Sequence, residues 1–260
     1  MARNLARASQ SNGMGPSSLR ASQSHGIGNF PAARMTIDKT KCFKNRIEAG
    51  TMLARALAAH AGRADVILLA LPRGGVPVAA PMARRLGLPM DIVLVRKLGF
   101  PGQEEFAMGA IGSGGACVMQ EDVVRDCHIP AQLIEATARR ELQEIARREQ
   151  CYRAGRGAPS LAGQTVILVD DGMATGSTMQ VAVQVVRQSH PARMIVAVPV
   201  ASSAACHVLR AQVDECLCLI TPQAFNAVGE WYEHFGQVSD REVTRLLAAA
   251  GKRGAGTAPG

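Results

Sequence analysis

The feature that most constrains this chain is a series of short apolar segments separated by segments with helical periodicity. The apolar segments have the length of buried strands and cover residues 66–71, 91–95, 165–169, 194–198 and 215–219. Most of the segments between them repeat apolar residues at helical spacing. Strands that are apolar throughout are typical of parallel sheets, in which crossover helices cover both faces. The sequence therefore predicts an α/β fold with a parallel β-sheet flanked by helices on both faces.

The same patterns place the remaining elements. Helices are predicted over 46–61, 76–86, 131–152, 176–188, 203–212 and 240–249. The short strands 107–111 and 117–120 are predicted to form a hairpin. The segment 97–106 contains Gly, Pro and charged residues, and it is predicted to be a loop. Ligands bind at the carboxyl ends of parallel strands, so a site is expected in the segments that directly follow the strands.

Composition changes at both ends of the chain. Residues 1–34 are rich in Ser, Gly, Arg and Ala without periodicity, so they are predicted to be a disordered extension. An Arg-rich start without acids also fits a transit peptide, and a third interpretation is that translation begins at Met35. A globular domain is expected over 35–250, followed by a disordered tail over 251–260.

The formal net charge of +8 is concentrated in these two ends. Basic tails are weak support for nucleic-acid binding. Aromatic residues, which form stacking platforms for single strands, make up only 3% of the chain. No apolar run approaches the ~18 residues that span a bilayer. We therefore expect neither a nucleic acid nor a membrane as a partner.

Cysteine and histidine spacing gives no sign of a metal site. The seven cysteines include no C-x-x-C pair, and the six histidines show no H-x-x-x-H spacing. Cys216 and Cys218 lie two apart in a predicted strand, so they share one face and are interpreted as core residues rather than ligands. The odd number of cysteines and the lack of a secretory segment favour a cytoplasmic location.

The segment after the strand 165–169 contains the clearest candidate for a ligand-binding site. The strand ends in Asp170 and Asp171, and a loop of small residues leads into the next helix. The amides of that loop can point into one concavity at a helix N-terminus, where the helix dipole favours an anion. They belong to Ala174, Thr175, Gly176, Ser177 and Thr178. Adjacent carboxylates can accept hydrogen bonds from a vicinal diol, so the pattern suits a sugar phosphate.

This segment resembles the phosphoribosyl pyrophosphate (PRPP) signature of type I phosphoribosyltransferases: an apolar strand, two acids, a short spacer and Thr-Gly-x-Thr. The resemblance extends over roughly 42–250. It implies the Rossmann-like fold of that family with a small hood. It also implies that Asp170 and Asp171 hold the ribose hydroxyls, and that the loop from Ala174 to Thr178 binds the 5-phosphate.

Two further segments agree with this resemblance. The pyrophosphate loop of the family corresponds to Arg73, Gly74 and Gly75, and its non-proline cis peptide bond would be Arg73–Gly74. Lys97 follows the second predicted strand and would neutralise phosphate charge. The resemblance thus implies Arg73, Lys97 and Asp171 as the catalytic residues.

The hood over the nucleobase corresponds to residues 221–232, where Phe225 or Trp231 would stack on a base. The alternative is that these aromatic residues anchor the segment on the core. Ala174 stands where 6-oxopurine enzymes typically have an Asp, which counts against hypoxanthine or guanine as the acceptor. The whole pattern is similar to a bacterial subgroup described only as predicted phosphoribosyltransferases, so it implies no named acceptor.

The resemblance implies a PRPP-dependent enzyme that transfers 5-phosphoribosyl to a nitrogen acceptor and releases pyrophosphate. Mg²⁺ would be the cofactor, held by PRPP oxygens and water without a direct protein ligand. Two alternatives stay open: a regulator that senses PRPP or a nucleotide with the same loop, and a hydrolase or phosphorylase of another ribose phosphate. A homodimer is common in the family, although no segment identifies an interface.

Overall fold

The computed structural model describes residues 42–100 and 103–254. Its α-helices are α1 (Arg46–Ala56), α2 (Gly75–Leu86), α3 (Glu121–Asp126), α4 (Ala131–Arg153), α5 (Ser177–Arg187), α6 (Ser203–Arg210) and α7 (Asp240–Gly254). Its strands are β1 (Val66–Ala70), β2 (Met90–Ile92), β3 (Val95–Phe100), β4 (Gln103–Gly112), β5 (Cys117–Met119), β6 (Thr165–Val169), β7 (Arg193–Val200) and β8 (Glu215–Ile220). Short 3₁₀-helices cover Ala58–His60, Ser113–Gly115 and Val228–Trp231.

The strands β2, β1, β6, β7 and β8 form one parallel sheet in that spatial order. In its interior, β1 and β6 pair from Val66 opposite Thr165 to Ala70 opposite Val169. Each of these strands overlaps one of the predicted apolar segments, which confirms the predicted α/β class. The second strand is shorter than predicted, because the chain leaves this sheet after Ile92 and enters β3 of a second sheet.

Helices cover both faces of the parallel sheet, as predicted. Alternate side chains of β1 point to opposite faces. Leu68 belongs to a core shared with α1, α2, α4 and α7, whereas Leu69 belongs to a core shared with α5 and α6. Both leucines are almost completely buried. Burying one such side chain stabilises a fold by roughly 1.5–3 kcal/mol, so the sheet is a rigid base for the loops at its edge.

A second, antiparallel sheet has the order β3–β4–β5. The predicted hairpin is confirmed as β4 and β5, joined by a turn in which Gly114 and Gly115 have positive φ. The predicted loop over 97–106 is wrong, since its two ends lie in β3 and β4, which pair with each other. This pairing overrides the weak strand propensity of Gly99, where the register shifts as in a β-bulge.

Helix α7 runs to Gly254, past its predicted end at 249 and into the start of the predicted tail. The predicted extension 1–34 and positions 255–260 lie outside the described residues, so the domain boundaries stay predictions. In the part of the chain that is described, no helix has both the length and the apolar character needed to cross a membrane.

Candidate functional site

The carboxyl ends of β1 and β6 lie side by side, because Ala70 pairs with Val169 in parallel. The chain continues from β1 into Leu71 and from β6 into Asp170 and Asp171. The amide of Leu71 donates to the carbonyl of Val169 (2.9 Å), which ties the two segments together. The loop after β1 and the acid pair after β6 therefore emerge at the same edge of the sheet.

Gly74 lies directly against the Asp171 carboxylate, since a Cβ added to Gly74 would overlap it. A Cβ on Gly75 would likewise overlap the carbonyl oxygen of Val169. Any side chain at these positions would push the two segments apart, which explains why both are glycines. The amide of Gly75 donates to the Leu71 carbonyl (3.0 Å), so this amide is not free to bind a ligand. The role of Gly75 is to let the two segments approach each other.

A non-proline cis peptide bond lies in this loop, between Pro72 and Arg73 rather than at the predicted Arg73–Gly74 bond. The prediction is wrong by one residue, because Gly74 already has helical backbone angles (φ −64°, ψ −36°) as the N-cap of α2. The Arg73–Gly74 bond therefore belongs to the start of the helix, where peptide bonds are trans. Accordingly, the amide of Val76 donates to the Arg73 carbonyl (3.3 Å).

The Arg73 side chain reaches toward the N-terminus of α7. Its Nη1 atom lies 3.7 Å from Oδ1 of Asp240, and both side chains are half exposed. Tyr152 donates its hydroxyl to the same oxygen (2.7 Å). Burial and this contact with Asp240 raise the pKa of Tyr152 to about 12, so its hydroxyl stays a donor. Asp240 thus orients Arg73, while the guanidinium keeps its access to solvent.

Arg46, the first residue of α1, is paired with Asp171. Its Nε atom donates to Oδ2 of Asp171 at 2.8 Å, and the two side chains are only 12% and 15% exposed. The guanidinium also donates to the carbonyl of Gly236 (2.9 Å). Its carbon lies 3.8 Å from the centroid of the Phe235 ring, within cation–π range. Sequence reasoning missed Arg46, because no local pattern links it to the acids.

Tyr232 holds the backbone of the same acid. Its hydroxyl donates to the Asp171 carbonyl (2.6 Å). Its ring lies 5.5 Å from the Phe43 ring and 5.0 Å from the Phe235 ring, measured between centroids. Burial and the negative charge of Asp171 raise the pKa of Tyr232, so the hydroxyl remains protonated. Asp171 is therefore held from two sides, by Arg46 at the carboxylate and by Tyr232 at the carbonyl.

Asp170 and Asp171 share one poorly solvated environment. The Asp171 amide donates to Oδ1 of Asp170 (2.8 Å). Burial raises the pKa of Asp170 well above its ordinary value, and the charge of Asp171 adds to the rise. Burial also raises the pKa of Asp171, while Arg46 opposes this shift. Hydrogen-bond donors on a ligand would stabilise the ionised pair, and the hydroxyls of a sugar are such donors.

The loop from Ala174 to Thr178 is supported by the residues that open α6. Ser202 donates its hydroxyl to the Ala174 carbonyl (2.6 Å) and its amide to the Met173 carbonyl (3.0 Å). Gly176 has φ 73° and is the N-cap of α5, so it has no side chain that could accept from the first-turn amides. The Ser177 amide donates weakly to the Thr175 hydroxyl (3.4 Å). Ala174, Thr175 and Thr178 are exposed, so this part of the loop faces solvent at a helix N-terminus, which is a suitable position for an anion.

Lys97 and Thr178 line one open cavity of about 480 Å³. Both residues are exposed, Lys97 on β3 and Thr178 in the first turn of α5. Arg96, Arg140 and Glu141 also line this cavity. Glu141 accepts from Arg96 (2.7 Å) and from Arg140 (3.1 Å). One acid faces three cations, so the charged side chains that line the cavity carry a net positive charge beside the loop at the start of α5.

Phe225 and Trp231 pack against a small third core. Its buried members are Phe43, Ala49, Val200, Ile220 and Tyr232. Both aromatic side chains are partly buried, and the indole nitrogen of Trp231 has no hydrogen-bond partner among the described residues. This packing supports the alternative that both residues anchor their segment, and a contact with a base stays a prediction.

Residues 43–234 match a family model described as the phosphoribosyl transferase domain. Two proteins of Mycobacterium tuberculosis, named "Putative phosphoribosyl transferase MT0597" and "Putative phosphoribosyl transferase Rv0571c", are similar to this chain. Each is 44% identical over 210 residues, which are 81% of this chain and 47% of the relative. The chain therefore spans about half the length of these relatives.

A solved structure, that of TT1426 from Thermus thermophilus, has a similar fold. It is 44% identical, and the match has a TM-score of 0.72 and covers 80% of this chain and 98% of that chain. The region that matches the family model includes the loop after β1, the acid pair and the loop before α5. With this match over most of its length, the chain belongs to the phosphoribosyl transferase family.

Proposed function

We propose that this protein transfers the 5-phosphoribosyl group of PRPP to a nitrogen atom of an acceptor and releases pyrophosphate. The observation that carries the proposal is the direct contact between Gly74 and the Asp171 carboxylate. This contact joins a glycine loop that can receive a diphosphate to a carboxylate that can hold a ribose. A nucleobase or a related heterocycle is the acceptor class that we propose.

In this proposal the ribose hydroxyls donate to Asp170 and Asp171. The pKa of each carboxyl is raised by burial, so hydroxyl donors would favour the ionised forms. Arg46 and Tyr232 already fix the position of Asp171 before a ligand binds. A pre-arranged acceptor lowers the ordering cost of binding, which supports a role for this acid in orienting the sugar.

The 5-phosphate of the substrate binds the loop from Ala174 to Thr178. The amides at the N-terminus of α5 and the helix dipole favour a negative charge there. Lys97 contributes a positive charge from the cavity that it shares with Thr178. The phosphate and the ribose hydroxyls are then held by two parts of one loop, which sets the direction in which C1 of the ribose faces.

The bond between C1 and the pyrophosphate oxygen breaks through an oxocarbenium-like state, and the electron pair leaves with the pyrophosphate. The Arg73 guanidinium and the dipole at the N-terminus of α2 stabilise the departing negative charge. Asp171 lies against Gly74, so a carboxylate faces the positive charge that develops on the sugar. The acceptor nitrogen then forms its bond to C1, and the proton that it carried passes to water.

Mg²⁺ is the cofactor that the reaction implies. Oxygen donors are the ligands that Mg²⁺ prefers, and Asp170 and Asp171 present carboxylate oxygens at the proposed ribose position. The residues present therefore fit the ion. When bound, it would reduce the negative charge on the pyrophosphate. We propose PRPP oxygens and water as its main ligands, with Asp170 and Asp171 acting through the ribose hydroxyls.

Isothermal titration calorimetry with PRPP and Mg²⁺ tests the binding half of the proposal. We expect the wild-type chain to bind and the double variant Asp170→Asn/Asp171→Asn to lose binding, since it lacks both carboxylates. Asp126→Asn is the matched control, because Asp126 is an exposed acid of α3, and it should bind as the wild type does. No binding of millimolar PRPP by the wild type would overturn the proposal.

Pyrophosphate release in the presence of a panel of nucleobases and related heterocycles tests the transfer half. We expect release that depends on one class of acceptor. Release without any acceptor would assign a hydrolase instead. Tight PRPP binding without release in any mixture would favour a regulator that uses the same loops.

A further inference from the structure

Three cysteine thiols meet between α6 and β8. Cys216 and Cys218 lie two apart on β8, so their side chains point to the same face of the sheet. Their Sγ atoms are 3.8 Å apart. Cys206 reaches the same place from α6, and the three Sγ atoms all lie within 4.8 Å of one another. The sequence pattern of β8 does not reveal this cluster, because the third thiol comes from another element.

The spacing of the sulfur atoms matches a thiolate metal site. A Zn–S bond is about 2.3 Å long, so two thiolates at tetrahedral angles on one zinc ion lie about 3.8 Å apart. The separation of the Cys216 and Cys218 sulfur atoms has this value. The Cys206 sulfur lies within 4.8 Å of the other two, so it would move closer to them when it binds the ion. Soft thiolate ligands select thiophilic ions such as Zn²⁺ over Mg²⁺ or Ca²⁺.

Two other interpretations of the cluster fit less well. Residues two apart on a strand have Cα atoms about 6.6 Å apart, at the upper end of the range for a disulfide, so a bond between Cys216 and Cys218 is disfavoured. Apolar packing accounts for Cys206, which is 1% exposed. Cys216 and Cys218 also pack against this core, but both are only partly buried, so their thiols keep some access to solvent. Their exposure offers an ion a path from solvent.

We propose that Cys206, Cys216 and Cys218 bind one Zn²⁺ ion as three thiolates, with a water molecule at the fourth position. Each thiol releases its proton to solvent as the sulfur–zinc bond forms. Three thiolates leave the centre with one net negative charge. Arg210 lies one helical turn after Cys206 on α6, so its guanidinium can compensate that charge.

Zinc at this position would join α6 to β8. The same helix supports the loop before α5: Ser202 donates to the Ala174 carbonyl, and a Cβ on Gly176 would lie 3.1 Å from the Cβ of Ala205. Ala205 is the neighbour of Cys206 in the chain. The ion would therefore hold α6, which supports the loop before α5, against β8. Its binding can be measured without any assay of activity.

Cobalt substitution tests this site in the full chain. The protein is freed of metal, kept reduced with a phosphine and titrated with Co²⁺ while the thiolate-to-cobalt charge-transfer absorption is recorded. We expect one equivalent of Co²⁺ per chain, followed by loss of the absorption when Zn²⁺ displaces the cobalt. Competition with a chromophoric chelator then gives the zinc affinity.

Matched cysteine variants decide whether these three thiols are the ligands. Cys216→Ser and Cys218→Ser should each weaken zinc binding by at least about 100-fold, because the loss of an outer-shell partner alone costs about 10–100-fold. Cys127→Ser and Cys151→Ser replace exposed cysteines elsewhere and should bind zinc as the wild type does.

The strand positions are partly exposed, so these variants should fold, which circular dichroism checks. The proposal fails if the wild type shows no charge-transfer absorption. It also fails if the absorption survives in the folded double variant Cys216→Ser/Cys218→Ser.

Discussion

Arg46 and Asp171 form an ion pair at 2.8 Å although 125 residues separate them in the sequence. Both side chains are largely withdrawn from solvent. Exposed ion pairs contribute about 0–1 kcal/mol, whereas removing one partner of a buried pair costs about 3–5 kcal/mol. Because Asp171 also lies against Gly74, this pair fixes a carboxylate at the junction of the two loops that we propose for the sugar and the pyrophosphate.

Replacing Arg46 with methionine (Arg46→Met) should raise the pKa of Asp171. Burial raises this pKa and Arg46 opposes the rise, so removing the guanidinium leaves the effect of burial unopposed. If transfer requires ionised Asp171, the acid limb of the pH profile of kcat/KM for PRPP moves to higher pH. Arg63→Met is the matched control, because Arg63 pairs with Asp65 in an exposed position. An acid limb that does not move in a folded Arg46→Met variant would contradict this role.

Gly74→Ala should lower kcat/KM for PRPP by about 100-fold, because a misplacement of about 1 Å in a site can cost this much. The added Cβ would overlap the Asp171 carboxylate and push the two loops apart. Gly157→Ala serves as the control, since a Cβ at that position meets nothing within 4 Å. Steady-state kinetics of both variants check the prediction, and equal activities would show that the contact is not needed.

The parallel sheet and the acid pair could be predicted because their signals are local. Continuous apolar runs identify β1, β6, β7 and β8, and Asp170 and Asp171 directly follow one of them. Neighbouring parallel strands bring their carboxyl ends together, so topology explains why these acids meet Gly74.

The groups that hold Asp171 could not be predicted in this way. Arg46 comes before the first strand and Tyr232 after the last, and neither is part of a repeating pattern. In the segment 97–106, Gly and Pro suggest a loop, whereas pairing between β3 and β4 turns both ends of it into strand. These features depend on contacts between distant segments, which override local propensity.

Arg73→Ala should lower kcat by about 10²–10³, the usual cost of losing one donor that stabilises developing charge. Its effect on the free energy of unfolding should stay below about 1 kcal/mol, because its ion pair with Asp240 is long and half exposed. Arg125→Ala removes an arginine from exposed ion pairs on α3 and is the matched control. Kinetics and chemical denaturation of both variants separate the two effects. Wild-type kcat in Arg73→Ala would exclude a role for Arg73 in pyrophosphate departure.

Asp170→Asn should stabilise the fold at neutral pH while it weakens PRPP binding. Burial, and then the charge of Asp171, raises the pKa of Asp170 well above its ordinary value of 3.8. The folded state therefore binds this proton more tightly than the unfolded state does. The stability that Asp170 contributes is complete below the ordinary pKa and is lost as the pH rises through the folded-state pKa. Asparagine keeps an acceptor for the Asp171 amide and has no charge to bury.

Thermal melts between about pH 4 and pH 8 test this relation, because the linkage between proton binding and folding is a function of pH. The melting temperature of Asp170→Asn should exceed that of the wild type by an amount that grows with pH. Asp126→Asn, at an exposed position, should show no such growth. A difference between Asp170→Asn and the wild type that stays constant over this range would mean that the ionisation of Asp170 is not coupled to folding.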